Sequence, residues 1–223
     1  MSLKVGGIVL CGGESRRMGR PKAWLPFGNE VLLQRVVRIL REVVDPIVVV
    51  AAPGQVVPTL PPSVALARDA HQGRGPLEGL AAGLNRLREL GCEAAYVSST
   101  DAPLLKAEWV RQVIRLLGDA AIAVPLIDGR HHPLAAVYRT SVLPEIERLL
   151  AADRLRPVFL FDSVATRVIL AVELQAVDPN FESLRNLNTP DDYEAALAHC
   201  AAVAKPATTG CVQGSPTASR SNS

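Results

Sequence analysis

The chain of 223 residues is 48% apolar and 21% charged, close to the average for soluble globular domains, which excludes intrinsic disorder as its main state. Lys205 and Arg220 are the only charges beyond residue 204, so residues 1–204 balance at 22 basic and 22 acidic side chains. A neutral body excludes bulk electrostatic binding to nucleic acid or to an anionic membrane, and any anion site must be local.

Taken in chain order, short apolar runs alternate with helical spacing. Val5–Leu10 predicts a first strand, ended by Cys11-Gly12-Gly13, rather than a signal peptide. Asn29–Val44 carries Leu32, Leu33, Val36, Val37 and Leu40 at helical spacing. Pro46–Ala51 is continuous and β-branched, as expected of a strand covered on both faces. Val64–Ala67 reads as a short strand. Pro76–Leu90 reads as a helix with proline in its first turn and Gly91 closing it. Ala94–Ser98 is the next strand and Ala107–Leu117 the next helix. Ala120–Val124 is a strand ended by Pro125, and Leu134–Tyr138 another, after the turn Asp128-Gly129 and Pro133. Ser141–Ala151 predicts a helix capped by Ser141. Arg154–Asp162 is ambiguous because Pro157 interrupts it. Arg167–Leu174 reads as an edge strand, and Pro190–Val203 as a last helix capped by Thr189.

This order predicts an α/β fold of three layers, α/β/α, around a mostly parallel, Rossmann-like sheet. Residues 1–204 form one domain in this reading. Residues 205–223, rich in Ser, Thr, Gly, Pro and Ala, form a disordered tail. No run approaches 18 apolar residues, so no membrane span is expected, and the protein is expected in the cytoplasm. Cys11, Cys92, Cys200 and Cys211 form no C-x-x-C pair and no zinc-spaced set, which argues against a disulfide framework or a structural zinc.

The richest segment is LCGGESRRMGRPK, Leu10 to Lys22. In an open α/β sheet, ligands bind at the carboxyl ends of strands. Gly12 and Gly13 let backbone N–H groups approach a phosphate, and Arg16, Arg17 and Lys22 supply cations. Neither the Walker spacing nor G-x-G-x-x-G is present. In SSTDAPLL, Ser98 to Leu105, Asp101 falls just past a strand. It is either a cap for the following helix or a carboxylate for Mg²⁺, which commonly uses one or two carboxylates beside substrate phosphates. In ARDAHQGRGPLEGLAAGL, Asp69 ends a strand, and the small residues Gly79, Ala81, Ala82 and Gly83 suit close helix–sheet packing. His131 and His132 suit a turn better than metal chelation or catalysis. Asn186 and Asn188 precede the last helix, where capping explains Thr189 but not the asparagines.

LCGGESRRMGRPK resembles the L-A-G-G-x-S-x-R-M-G-x-x-K signature of the molybdenum cofactor guanylyltransferases. GPLEGLAAGL, STDAPLL, HPLAAVY and NLNTPDDY resemble that family's later blocks, in order, over about residues 4–200. The resemblance implies a sheet of the nucleotide-diphospho-sugar transferase type and transfer of GMP from GTP to molybdenum-bearing molybdopterin, with loss of pyrophosphate. It implies Leu10, Cys11, Gly12 and Gly13 at the nucleotide and Asp69 holding the nucleoside. Lys22 and Arg17 would meet the phosphates, Asp101 would ligate Mg²⁺, and Asn186 and Asn188 would face the acceptor. Molybdoenzyme-maturation proteins follow as further partners. Departures are Cys11 where relatives have Ala, Thr100 where they have Cys, and Ala51-Ala52-Pro53 where an Asn is frequent. Gly12 leaves room for a purine, which favours GTP over CTP. The alternatives are a transferase acting on a sugar phosphate and a nucleotide-binding adaptor without catalysis.

Overall fold

The computed structural model describes residues 3–11, 21–69 and 74–204. Its strands are β1 (Val5–Leu10), β2 (Pro26–Phe27), β3 (Glu30–Val31), β4 (Ile47–Ala51), β5 (Val64–Arg68), β6 (Ala94–Ser99), β7 (Ile122–Ile127), β8 (Arg130–His131), β9 (Ala135–Arg139) and β10 (Thr166–Leu170). Its helices are α1 (Leu32–Arg41), α2 (Pro76–Glu89), α3 (Ala107–Arg115), α4 (Leu143–Ala151), α5 (Val158–Phe161) and α6 (Pro190–Ala204). The main sheet has the order β10-β7-β9-β6-β1-β4-β5, with β8 paired to β7. β1 lies parallel between β4 and β6, β5 is parallel to β4, and β10 is parallel to β7. β9 runs antiparallel between β6 and β7. The sheet is therefore mixed and mostly parallel, and β1, β4, β5, β6, β7 and β10 all end at the same edge.

Alternation along the strands sorts the core into two layers. Ile8, Leu10, Val48, Val50, Ala95 and Val97 pack with Leu77, Leu80, Leu84 and Leu87 of α2 and with Ile146 of α4. Their neighbours Val9, Val49, Ala94 and Tyr96 pack on the other face with Leu33, Val36, Val37 and Leu40 of α1 and Trp109 and Val113 of α3. A third cluster joins Phe27 and Leu32 to Leu104, Leu187 and Ala196 of α6. It ties the last helix to the edge where the strands end.

α2 closes as expected. Gly91 takes φ +78, its N–H bonds to Arg88 C=O, and Cys92 N–H bonds to Leu87 C=O, the paired bonds of a Schellman motif. α6 begins at a reciprocal cap. Thr189 Oγ1 accepts from Asp192 N–H (3.2 Å), and the Asp192 carboxylate accepts from Thr189 N–H (2.9 Å) and Asn188 N–H (3.0 Å).

Four expectations are corrected. The helix read over Asn29–Val44 is shorter, because Gly28 (φ +66) turns a hairpin pairing Pro26 with Val31 and Phe27 with Glu30. β7 runs through Pro125 to Ile127. Pro125 C=O accepts from His132 N–H, and in a strand the N and C=O of one residue point the same way. The missing donor therefore points away from β10, beyond Ile122 and Ala123, the positions that pair with β9. Ser141 does not cap α4, whose cap position is Val142. Were Ser141 the cap, its third-residue donor would be Pro144, which has no N–H. The edge strand stops at Leu170, where Glu173 Oε2 accepts from Leu170 N–H and a 3₁₀ turn, Ala171–Glu173, follows. The segment 154–162, ambiguous in sequence, contains α5. The expected tail, 205–223, lies outside the described residues.

Candidate active site

Three chain segments far apart in sequence meet where β1 and β6 end. Lys22 opens a 3₁₀ turn, Lys22–Trp24. Its Nζ lies 2.7 Å from Asp101 Oδ2 and 3.2 Å from Asn188 Oδ1. Asp101 follows β6, and its other oxygen, Oδ1, accepts the Ser99 hydroxyl at 2.5 Å. Backbone bonds hold this junction: Leu187 N–H donates to Asp101 C=O at 2.9 Å, and Thr100 N–H and Oγ1 both donate to Leu10 C=O at 3.1 Å. The Lys22 and Asp101 side chains keep 21% and 16% of their exposure, so a ligand can reach them. The helix-cap reading of Asp101 does not survive. α3 begins at Ala107, and its cap position is Lys106.

Asn188 and Asn186 are exposed on either side of buried Leu187. Leu10 ends β1 and packs against Gly79, where an added Cβ would lie 3.2 Å from Leu10 Cδ2. Cys11 is buried, its N–H donates to Val50 C=O at 2.7 Å, and its C=O accepts Gln55 Nε2 at 2.9 Å. Burial pushes the Cys11 thiol up, which favours its neutral form. Gly12, Gly13, Arg16 and Arg17 lie outside the described residues.

Asp69 follows β5 and its Oδ1 would lie 3.2 Å from a Cβ on Gly79. Among the described residues this buried oxygen has no hydrogen-bond donor. Burial, and then the charge of Glu78, push its carboxyl up. Glu78 lies in the first turn of α2, where Arg74 Nε approaches its Oε2 at 3.6 Å. His131 and His132 follow the turn at Asp128 (φ +49) and Gly129 (φ +71). The His131 ring packs against Phe161 at 5.2 Å, and burial pushes His132 down, toward the neutral form.

Sequence reasoning missed Ser99, Thr100 and Gln55 as supports of the site. Ser99 and Thr100 directly precede Asp101 in the block already singled out. Gln55 comes from an irregular turn with no periodic signal, and its amide stands near the place where relatives were expected to carry Asn. Among the described residues no three His, Cys, Asp or Glu side chains gather to hold a metal on their own. No helix among them is long and apolar enough to cross a membrane.

A Rossmann-like sheet with a lysine, a carboxylate and an amide gathered at its carboxyl edge defines the class: an α/β protein built to handle a phosphorylated ligand at its strand ends. The model of the MobA-like NTP transferase domain matches residues 7–166, and the chain belongs to that family of nucleotidyltransferases. A Mycobacterium avium (strain 104) protein named a probable molybdenum cofactor guanylyltransferase is 40% identical over 199 residues, 87% of this chain and 95% of the relative. The crystal structure of molybdopterin-guanine dinucleotide biosynthesis protein A from Archaeoglobus fulgidus matches with a TM-score of 0.73 at 22% identity, covering 90% of this chain and 100% of that one. A Mycobacterium tuberculosis protein crystallised in complex with manganese matches at 0.63 and 16% identity, covering 87% and 98%. At such identities the two structures speak for the fold alone.

Proposed function

We propose that this protein transfers GMP from GTP to molybdopterin carrying molybdenum, forming molybdopterin guanine dinucleotide and releasing pyrophosphate. The observation that carries the reading is the junction of Lys22, Asp101 and Asn188, in a chain 40% identical over most of its length to a relative named for this activity. Residues 1–204 act as one domain in this reading, the first half holding the nucleotide and the second half the acceptor.

The attacking group is an oxygen of the acceptor's terminal phosphate, ionised at neutral pH. It forms a bond to the α-phosphorus of GTP while the α–β bridging bond breaks. No general base is needed, so catalysis reduces to aligning two anions and neutralising charge on the α-phosphate and the leaving pyrophosphate. Lys22, and Arg17 from the segment before it in sequence, supply that positive charge. Leu10, Cys11, Gly12 and Gly13 line the nucleotide, and Asp69 offers a carboxylate oxygen to the nucleoside. Asn186 and Asn188 present two amides to the acceptor.

Asp101 fits a hard divalent ion such as Mg²⁺. It is a partly exposed carboxylate at a strand end, oriented by the Ser99 hydroxyl, and substrate oxygens would complete the shell. The ion would supply Lewis-acid stabilisation of phosphate charge. Lys22 pairs with Asp101 Oδ2, so an ion held there would compete with its ammonium for that oxygen and would leave the ammonium available to a phosphate.

The test is to mix protein, Mg²⁺ and molybdopterin with each of the four nucleoside triphosphates in turn. Pyrophosphate release with GTP alone is the expected outcome. Release with CTP alone would change the base, and release with a sugar 1-phosphate in place of molybdopterin would change the acceptor class. Tight GTP binding without any release would leave an adaptor.

A further inference from the structure

The segment that carries the two asparagines is anchored at its other end by an ion pair whose carboxylate is buried and whose ammonium is partly exposed. Asp178 has no exposed side-chain surface. Its Oδ1 lies 2.8 Å from Lys106 Nζ, and its Oδ2 accepts from Ser183 N–H at 2.8 Å. Ser183 returns the contact, its Oγ accepting from Lys106 N–H at 3.1 Å. Glu182 Oε2 also lies 2.8 Å from Lys106 Nζ, and Glu182 Oε1 lies 2.9 Å from His199 Nε2 on α6. Between them Phe181 takes φ +49 and packs edge-on against Trp109.

One short loop, residues 100–106, therefore holds the segment 178–188 at both ends. Lys106 grips Asp178 and Glu182, and five residues earlier Asp101 C=O grips Leu187 N–H. Such a pair is weak evidence for stability, because desolvation of the buried carboxylate offsets its attraction. Its orientation is demanding, however: both carboxylate oxygens of Asp178 are used, one on a side chain and one on the backbone. The arrangement sets where residues 183–188 run relative to Asp101.

We propose that Lys106 and Asp178 are positioning residues for the acceptor: the pair fixes the path along which Asn186 and Asn188 face the reacting centre, and so governs acceptor binding and alignment but not nucleotide binding. This rests on the reading that those asparagines contact the acceptor.

The experiment measures KM for molybdopterin and KM for GTP, together with kcat, in Lys106→Met, Asp178→Asn and Ser183→Ala. The Kd for GTP is followed by calorimetry, and backbone amide exchange over residues 183–188 is recorded. The expected result is acceptor kcat/KM reduced between about 10- and 100-fold, as a small misplacement of a substrate-positioning group produces. GTP Kd should change by less than about twofold, and exchange should quicken at Leu187 and Asn188. Ser183→Ala keeps every charge in place and gives the milder form of the same split should Asp178→Asn fold poorly. Equal losses toward GTP and acceptor, or normal acceptor kinetics in a folded Lys106→Met protein, would overturn the proposal. Asn186→Ala and Asn188→Ala separate the two layers of the argument. If neither raises the acceptor KM, the acceptor reading falls and this inference with it. If they do and Lys106→Met does not, only the positioning role falls.

Discussion

Lys22 Nζ and Asp101 Oδ2 lie 2.7 Å apart although 79 positions separate them in the chain. The pair marks the junction to which the proposed reaction assigns the substrate phosphates, and Asn188 completes it from a third segment. Lys22→Ala is expected to lower turnover by about 10²–10³, the loss typical of one preorganised donor. Lys22→Arg should recover only part of it, because a planar guanidinium cannot occupy the point between carboxylate and amide in the same way. Pyrophosphate release at saturating GTP is the measurement, and near-normal turnover in Lys22→Ala would take this residue out of the mechanism.

Asp101 contributes the carboxylate that Lys22 touches at this junction, so the metal requirement should depend on it. Chelation is expected to abolish turnover and Mg²⁺ or Mn²⁺ to restore it. In Asp101→Asn the metal concentration for half-maximal activity should rise by about tenfold or more, since a neutral amide is a poorer ligand for a hard cation. An unchanged metal titration would show that the cation is held elsewhere.

Asp69 should reveal itself through pH. Burial, and then Glu78, raise its carboxyl above the ordinary 3.8. A raised carboxyl holds its proton more tightly in the folded state than in the unfolded one. Its contribution to stability is therefore full below the ordinary value and is lost as pH rises through the raised value. Asp69→Asn mimics the protonated form, so it should raise the unfolding temperature at pH 7 and leave it nearly unchanged well below pH 4. The same change should weaken GTP binding by about tenfold, the loss of one hydrogen bond to a charged acceptor. Unfolding scans across that pH range, paired with calorimetry, check both effects. A stability difference that does not vary with pH would contradict the electrostatic origin.

Gly83 tests the packing of α2 on the sheet. A Cβ there would lie 2.8, 2.9 and 3.0 Å from Cδ1, Cγ2 and Cγ1 of Ile8. Ile8 is fully buried, so its side chain has nowhere to retreat. Alanine gains up to about 1 kcal/mol of helix propensity, but overpacking costs about 1–3 kcal/mol. Gly83→Ala should therefore be destabilising by about 1–2 kcal/mol in urea unfolding, with an unchanged slope. Combining it with Ile8→Val should recover part of the loss. A more stable Gly83→Ala protein would show that the helix can lift away.

Much of the fold was legible because its signals are local. Val5–Leu10, the β-branched run through Val50 and the spacing of Leu77, Leu80, Leu84 and Leu87 each report burial on their own. Thr189 and Gly91 mark helix ends because a cap needs only its nearest neighbours. Elements set by partners were less legible. The Gly28 hairpin breaks a helical spacing that Leu32–Leu40 still satisfies, and Pro125 is tolerated in β7 only because its missing N–H points away from the paired neighbour β10.

For the site, residue chemistry pointed to Lys22 and Asp101, and the family resemblance added roles for Asp69, Asn186 and Asn188. Spacing along the chain also set the order of the layers, since periodicity is a property of a few consecutive residues. Which of those groups touch was decided by the tertiary structure, because contacts between positions 22, 101 and 188 exist only once β1 and β6 pair and α6 docks on Phe27 and Leu32. The same holds for Lys106 and Asp178. A charge pair across 72 positions leaves no periodic trace, and closing that loop relies on the burial of the segments around it.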